Sequence, residues 1–380
     1  MPSGSPSRGR RLTSAELSAL VNERLPINPD GRMLLVLIPA HNEQNGIGMT
    51  IRSLQAQTRK PDLIVVMADN CTDETVPRAI AAGALVVATV GNTAKKAGAL
   101  NQGLAALLPF LSGRDFVLCQ DADGRLLPSF VDEALLTFEM FDNAGGVSGA
   151  VVARRARNGL ETAQAIEYAR GLRLMSRSGG RVHVLSGAAT VFPVHALNAV
   201  AANRGGLLPG ARGEVFLQDS LTEDYELTLA LKKLGFACCS TRRCRVITDV
   251  MPTVQELRVQ RLRWFRGALE SMWLYGWNRL TARTWLGIVW TFAVSLLFPV
   301  TVAILVTSWL AWGTRPDFRY ALLFPVFASE GIVTARRIDR RAVVMALLFV
   351  PLWVYDNLMF ALYWQALWQA VHRRARVWVT

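Results

Sequence analysis

The chain has 380 residues, 51% of them hydrophobic, with a formal net charge of +13 and a mean hydropathy of +0.25. That length allows a catalytic domain with something smaller beside it, and the hydropathy is high for a protein wholly surrounded by water. A basic balance gathers phosphates, but the excess arginine sits at Arg8, Arg10 and Arg11, between Arg258 and Arg266, and beside the last apolar segments at Arg336, Arg337, Arg340, Arg341, Arg373, Arg374 and Arg376. Such placement suits a lipid surface and argues against nucleic acid as a partner. Cys71, Cys119, Cys238, Cys239 and Cys244 show no CxxC pair and no secretory spacing, so neither a zinc site nor a disulfide framework is indicated.

In chain order, the first dozen residues carry charge without a following apolar core; they read as a disordered tail, not a signal peptide. Thr13 and Glu16 have capping-box spacing and open a short helix to about Leu25, and 26–31 is a linker. Then short apolar runs, 33–38, 63–67, 84–88 and 116–119, alternate with stretches of helix length at 44–57, 74–82 and 98–111. That alternation predicts an α/β domain with a mostly parallel sheet covered on both faces, whose ligands bind at the carboxyl ends of the strands. Four polar loops, 39–43, 69–73, 92–96 and 120–124, fall at those ends and should line one crevice. The last quarter differs. Residues 285–312 carry no charge and exceed the roughly 20 needed to span a bilayer; 320–335 contains Glu330, and 342–371 contains Asp356.

Asp121 and Asp123 flank Ala122 after an apolar strand, which puts two hard oxygen ligands on one loop. Such a pair suits magnesium or manganese, with phosphate oxygens completing the shell. Thr222, Glu223 and Asp224 open a helical stretch. Acidic residues there complement the helix dipole, and a carboxylate in that place also suits a general base. Gln260, Arg263 and Trp264 lie on a basic helix, which reads either as an amphipathic interfacial helix or as a surface holding an acceptor sugar and diphosphate.

The ordered motifs PAHNE, ADNCTDET, KKAGALNQGL, DAD, SGAATVF, TED and QRLRW, followed by apolar helices, resemble the family 2 glycosyltransferases, in particular the branch of cellulose synthase and poly-N-acetylglucosamine synthase. The resemblance runs over about 34–267 and implies a GT-A type nucleotide-sugar-binding domain at 31–280, a tail and short helix at 1–30, and a membrane region with about three apolar segments at 281–380. It implies that Pro39, Ala40, Asn42 and Glu43 line the nucleotide pocket, that Asp69 meets the base, and that Lys96 lies near the nucleotide. It places metal and diphosphate at Asp121 and Asp123, the catalytic base at Asp224 with Glu223 in the substrate site, and the acceptor at Gln260, Arg263 and Trp264. His41 stands where that family often has tyrosine.

The implied activity is inverting transfer, with Mg2+ or Mn2+, from a nucleotide sugar, expected to be a UDP-sugar. The expected acceptor is lipid-linked or membrane-proximal, and the catalytic domain is expected on the cytoplasmic side of a multi-pass cell-membrane protein. A processive polysaccharide synthase, a protein acceptor and a non-enzymatic nucleotide-sugar-binding scaffold are the alternatives. A nucleotidyltransferase is disfavoured by the lack of a Gly-rich basic loop after the first strand. Three full spans would leave the basic end of the chain outside, against the positive-inside rule, so either the third segment is partly interfacial or one segment does not cross.

Overall fold

A computed structural model of the chain describes residues 9–23, 31–313 and 323–372. The tail before Gly9, linker positions 26–30, the start of the second apolar segment, and Arg373, Arg374 and Arg376 lie outside the described residues. By contact the chain groups into two units, Met1–Val152 with Leu172–Asp249, and Ala153–Gly171 with Val250–Thr380. The helix carrying Gln260 thus belongs to the second unit, and the division falls at 249/250 where the sequence suggested one near 280.

The first unit opens with β1 (Arg10–Leu12), α1 (Ser14–Asn22), β2 (Leu34–Ala40), α2 (Ile47–Gln55), β3 (Leu63–Ala68), α3 (Thr75–Ala81), β4 (Leu85–Ala88), α4 (Lys95–Leu107) and β5 (Phe116–Gln120). On β2, Val36, Ile38 and Ala40 enter one apolar cluster, while Leu35 and Leu37 are equally buried on the opposite face. A strand apolar on both faces needs a helical layer on each. Aspartates tie down the strand starts: Asp62 accepts from the Leu34 N–H at 2.7 Å and Asp115 from that of Met33 at 2.9 Å.

The unit continues with β6 (Arg125–Leu126), α5 (Phe130–Met140), β7 (Ala144–Ala153), β8 (Ala189–Pro193), α7 (Val194–Asn203), α8 (Glu223–Lys233) and β9 (Ala237–Thr248); α6 (Gly159–Arg177) follows β7 in sequence and begins in the second unit. Among the described residues the sheet order is β1-β4-β3-β2-β5-β8-β7-β9-β6. From β1 to β5 all neighbours are parallel; β8 then pairs antiparallel with β5 and with β7. The capping box at Thr13 and Glu16 is present. Arg10–Leu12 corrects the tail reading, because these residues pair with Leu85, Val86 and Val87. Three residues are too short to show periodicity, and their partner is the open edge of β4.

Arg204 and Glu226 form a fully buried two-pronged ion pair, at 2.6 and 2.8 Å. The same guanidinium donates to the carbonyls of Pro209 and Val215, so it holds the connection from α7 to α8. Asn101 of α4 grips that connection from the other side, accepting from the N–H groups of Val215 and Phe216 and donating to the Phe216 carbonyl.

The second unit consists of residues 153–171, which include the first turns of α6, and α9 (Val254–Tyr275), α10 (Ala282–Trp312), α11 (Leu323–Ala335), α12 (Arg340–Leu348) and α13 (Val350–Val371). Thr253 caps α9 by accepting from the Glu256 N–H. α10 is continuous over 31 residues. Among the described residues no single helix is long and apolar enough to cross a membrane; α12 and α13 together meet that test as a pair bent by 81°.

Removing one partner of a buried ion pair strands the other charge, at about 3–5 kcal/mol, whereas replacing both by apolar groups is often neutral. Arg204→Met should therefore lower the denaturation midpoint sharply, and Arg204→Met with Glu226→Leu should recover most of the loss. Chemical denaturation of the three proteins measures this.

Candidate active site

The carboxyl ends of the parallel strands deliver the first two loops. Past β2, Asn42 adopts φ 56 and its side-chain oxygen accepts from the Thr72 N–H at 2.9 Å. Glu43 N–H donates to the Thr75 hydroxyl at 2.7 Å, and the His41 ring meets the Asp69 carbonyl at 2.6 Å. Asp69 is buried, accepting from Thr89 and Asn70. Pro39, Ala40, Asn42, Glu43 and Asp69 thus lie at the carboxyl ends of β2 and β3 and in the loops that follow them, and His41 serves as a loop tie.

The third loop delivers Lys96. Asn92 folds its side chain over the start of α4, donating to the Lys95 carbonyl and accepting from the Ala94 N–H. A Cβ on Gly98 would lie 1.9 Å from the Asn92 oxygen, so only glycine fits there. Lys96 then reaches Asp121 at 2.6 Å and Glu223 at 2.8 Å and donates to the Gly187 carbonyl at 3.3 Å. Burial alone would lower its pKa, but Asp121, Glu223 and Asp224 outweigh that and hold it above the usual lysine value.

The fourth loop carries Asp121 and Asp123. Thr50 donates to the Ala122 carbonyl at 2.6 Å and Gln120 to that of Gly124 at 2.9 Å, which fixes its course. Burial, and then the neighbouring Asp121, push Asp123 up to about 6. Burial, followed by repulsion from Asp123, Asp121 and Asp73, pushes Glu43 up to about 7. Carboxylates crowded until two resist ionisation are a place where a divalent cation relieves strain, and their oxygens are the hard ligands magnesium and manganese take. Among the described residues no group of three or more His, Cys, Asp and Glu side chains is set to enclose a metal. A cation held by Asp121 and Asp123 would complete its shell from phosphate and water.

Asp224 stands in the first turn of α8. One oxygen accepts from the Gly187 N–H at 2.9 Å and the other from the Tyr225 N–H at 2.8 Å. Burial and the adjacent Glu223 raise it to about 6, against the pull of Lys96 and the two N–H donors. It borders a pocket of about 330 Å³, open mouth included, that is also lined by Pro39, Lys96, Gly187 and Glu223 and walled by Leu100, Phe192 and Phe216. Gly187 and Phe216 had no assigned role in the sequence reading. Gly187 lay within the SGAATVF motif as a visible signal; Phe216 had none, since Asn101 and Arg204 place it through the backbone of a long connection.

Gln260, Arg263 and Trp264 are on α9 of the second unit. There the buried Arg261 donates to Gln260 at 3.2 Å, pairs with Glu167 at 2.8 Å and lies 4.3 Å from the Trp264 ring centroid. Arg261 was not singled out from the sequence, yet it orders two of the three motif residues.

An α/β sheet with an acidic pair, a lysine and a helix-start carboxylate at its carboxyl edge is the framework of an enzyme acting on a phosphate-bearing substrate. The chain belongs to the glycosyl transferase family group 2, whose profile matches residues 116–368. Among solved structures it is similar to the mannosyltransferase PcManGT from Pyrobaculum calidifontis in complex with GDP-Man and Mn2+, at 17% identity over 95% of this chain and 96% of that one, TM-score 0.59. That shows the shared fold. Glucosyl-3-phosphoglycerate synthase from Mycobacterium tuberculosis, in complex with Mn2+, UDP and phosphoglyceric acid, is 20% identical over 70% of this chain and 87% of that one, TM-score 0.42. No curated protein sequence matches significantly.

A Cβ on Gly187 would lie 3.0 Å from both the Asp224 oxygen and the Lys96 nitrogen. Both groups would have to give by a few tenths of an ångström, so Gly187→Ala should lower turnover several-fold, less than the roughly 10²-fold of a 1 Å misplacement, with little change in thermal unfolding. Initial rates and melting curves on the same preparation check it.

Proposed function

We propose that this chain is a membrane-anchored, metal-dependent, inverting glycosyltransferase. It moves a sugar from a nucleoside-diphosphate donor to a lipid-linked or other membrane-proximal acceptor at the cytoplasmic face of a membrane. The observation that carries this reading is the placement of Asp224 on one pocket with Lys96, which is itself paired to Asp121.

The donor already holds a good leaving group, so the site must position a hydroxyl, remove its proton and absorb the charge leaving with the diphosphate. Asp224, held by two backbone N–H groups, takes the proton. Lys96 answers the negative charge on the departing diphosphate. Asp121 and Asp123 hold a divalent cation, which supplies Lewis-acid stabilisation to the diphosphate. The acceptor oxygen bonds to the anomeric carbon as the bond to phosphate breaks, and a single displacement inverts that centre.

The fold-sharing mannosyltransferase carries GDP-Man and Mn2+, so the donor test covers GDP-sugars as well as the expected UDP-sugars. For the acceptor, support comes from the second unit, where Trp290, Ile304, Trp309, Leu310 and Trp312 of α10 are exposed, surface that a bilayer covers. Limited transfer is preferred over polymer secretion because the few apolar helices of this chain cannot enclose a polysaccharide channel.

Nucleoside diphosphate release is the assay, run over both donor classes with lipid extract as acceptor. Release should require Mn2+ or Mg2+ and cease with chelator or with Asp123→Ala. Asp224→Asn should lose on the order of 10²–10⁴ in turnover while still binding nucleotide; near-normal turnover would remove Asp224 from the base role. Because a base must be ionised and Asp224 is raised to about 6, activity should be retained above that pH and lost as pH falls through it. A rate independent of pH from 5 to 8 would contradict the assignment.

A further inference from the structure

We infer that α13 does not cross the bilayer but lies in its surface layer beside α9, so that the two ends of the α12–α13 pair stay on one side of the membrane. The inference rests on the membrane reading above and goes beyond it by assigning the topology.

The argument begins with the company α13 keeps. It packs along α9, whose 22 residues include Glu256, Arg258, Arg261, Arg263, Arg266 and Glu270. A helix bearing six charged side chains does not span hydrocarbon. Arg258 donates to Gln365 at 3.4 Å, and Phe265 stacks on Tyr363 with ring centroids 4.4 Å apart. The early part of α6 supplies further polar partners. Tyr355 hydrogen-bonds Glu167, and Arg170 pairs with Asp356 at 3.2 Å and with Glu330 at 3.1 Å. One arginine therefore answers both carboxylates that interrupt the apolar segments. α10 meets α13 at a local crossing instead, through Phe292 and Ser295 against Tyr363 and Trp364.

The other face of α13 is apolar and open. Val350, Val354, Trp364, Trp368 and Val371 are exposed, at successive spacings of four, ten, four and three residues, which keep them within an arc of about 100°. A sharp break separates the axes of α12 and α13: Phe349 sits at φ 57 and the two helices meet at 81°, while Ala342 and Ala346 still pack in one cluster with Leu352 and Tyr355.

The occupant of the stripe is the acyl region of a lipid leaflet. Arg258, beside α13 at Gln365, and Arg279, Arg283, Arg336, Arg340 and Arg341 of the same unit are exposed, charge complementary to anionic headgroups, and an apolar stripe on a unit with exposed basic residues suits a helix lying in the interface. This placement also keeps the basic residues after His372 on the same side as Arg340 and Arg341, which open α12, in keeping with the positive-inside rule.

Sealed membrane vesicles of both orientations, holding Arg340→Cys or His372→Cys at the two ends of the α12–α13 pair and treated with a membrane-impermeant maleimide, test the inference. The wild type, whose cysteines are buried or half-buried, is the blank. Both variants should label in the same vesicle orientation and lose labelling in the other. Labelling of His372→Cys only in the orientation opposite to Arg340→Cys would show that the pair crosses and would overturn the inference while leaving the membrane reading intact. Release of the protein by alkaline carbonate would sink both. If the released protein is then a soluble oligomer, the stripe belongs to a second copy of this chain.

Discussion

Lys96 bridges Asp121 and Glu223 at 2.6 and 2.8 Å, and the positive charge at that point governs what the surrounding acids can do. Glu43, Asp121, Asp123, Glu223 and Asp224 converge at the carboxyl edge of the sheet. Without a cation among them their mutual repulsion would favour protonation or splaying of the loops. Lys96 opposes this on the α8 side, where burial and Glu223 nonetheless keep Asp224 raised. On the far side, where Glu43 and Asp123 meet, the acids remain raised, which leaves room for a second positive charge. The site is thus divided: an ammonium beside Asp224 and Glu223, and crowded carboxylates beside the first loop whose oxygens are ligands of the kind magnesium and manganese take.

The delivery of Lys96 depends on small local devices. Asn92 caps the turn, Lys95 takes φ 52, and Gly98 clears space for the asparagine. Across the pocket, Arg204 and Asn101 do the same for the wall residue Phe216. A buried arginine–glutamate pair contributes little net stability because desolvation consumes its Coulomb gain. What it supplies is one course for a connection that has no regular structure of its own. Both walls of the pocket are therefore set in part by polar groups binding backbone, which fixes their course over the apolar core beneath.

Much of this was legible in the sequence. The strand-loop-helix alternation located β2, β3, β4 and β5 to within one or two residues, because strands buried on both faces read as plain apolar runs. Asp121, Asp123 and Asp224 were singled out because polar residues at strand and helix ends stand out against apolar neighbours, whereas Lys96 was singled out through the resemblance to the family 2 glycosyltransferases. Phe216, Gly187, Asn101 and Arg204 were not assigned roles, since each acts through contacts with residues distant in sequence. β1 was missed for a related reason: its pairing is created by the edge of β4. Arg261 was hidden inside a motif whose named members flank it.

The apolar helices show where a hydropathy reading reaches its limit. Length and composition alone treat Glu330 and Asp356 as blemishes in two candidate spans. Arg170 gives each carboxylate a partner, so neither needs water at that position, and hydropathy alone would then favour crossing. The deciding fact is where the partner comes from: Arg170 and Glu167 lie on α6, and α6 and α9 carry too much charge to enter hydrocarbon. A helix whose polar face is matched by helices confined to the interface is confined with them, however apolar its remaining face. For α13 the unit of judgement is therefore the packed group of helices, because the free energy of crossing belongs to the group and not to the segment.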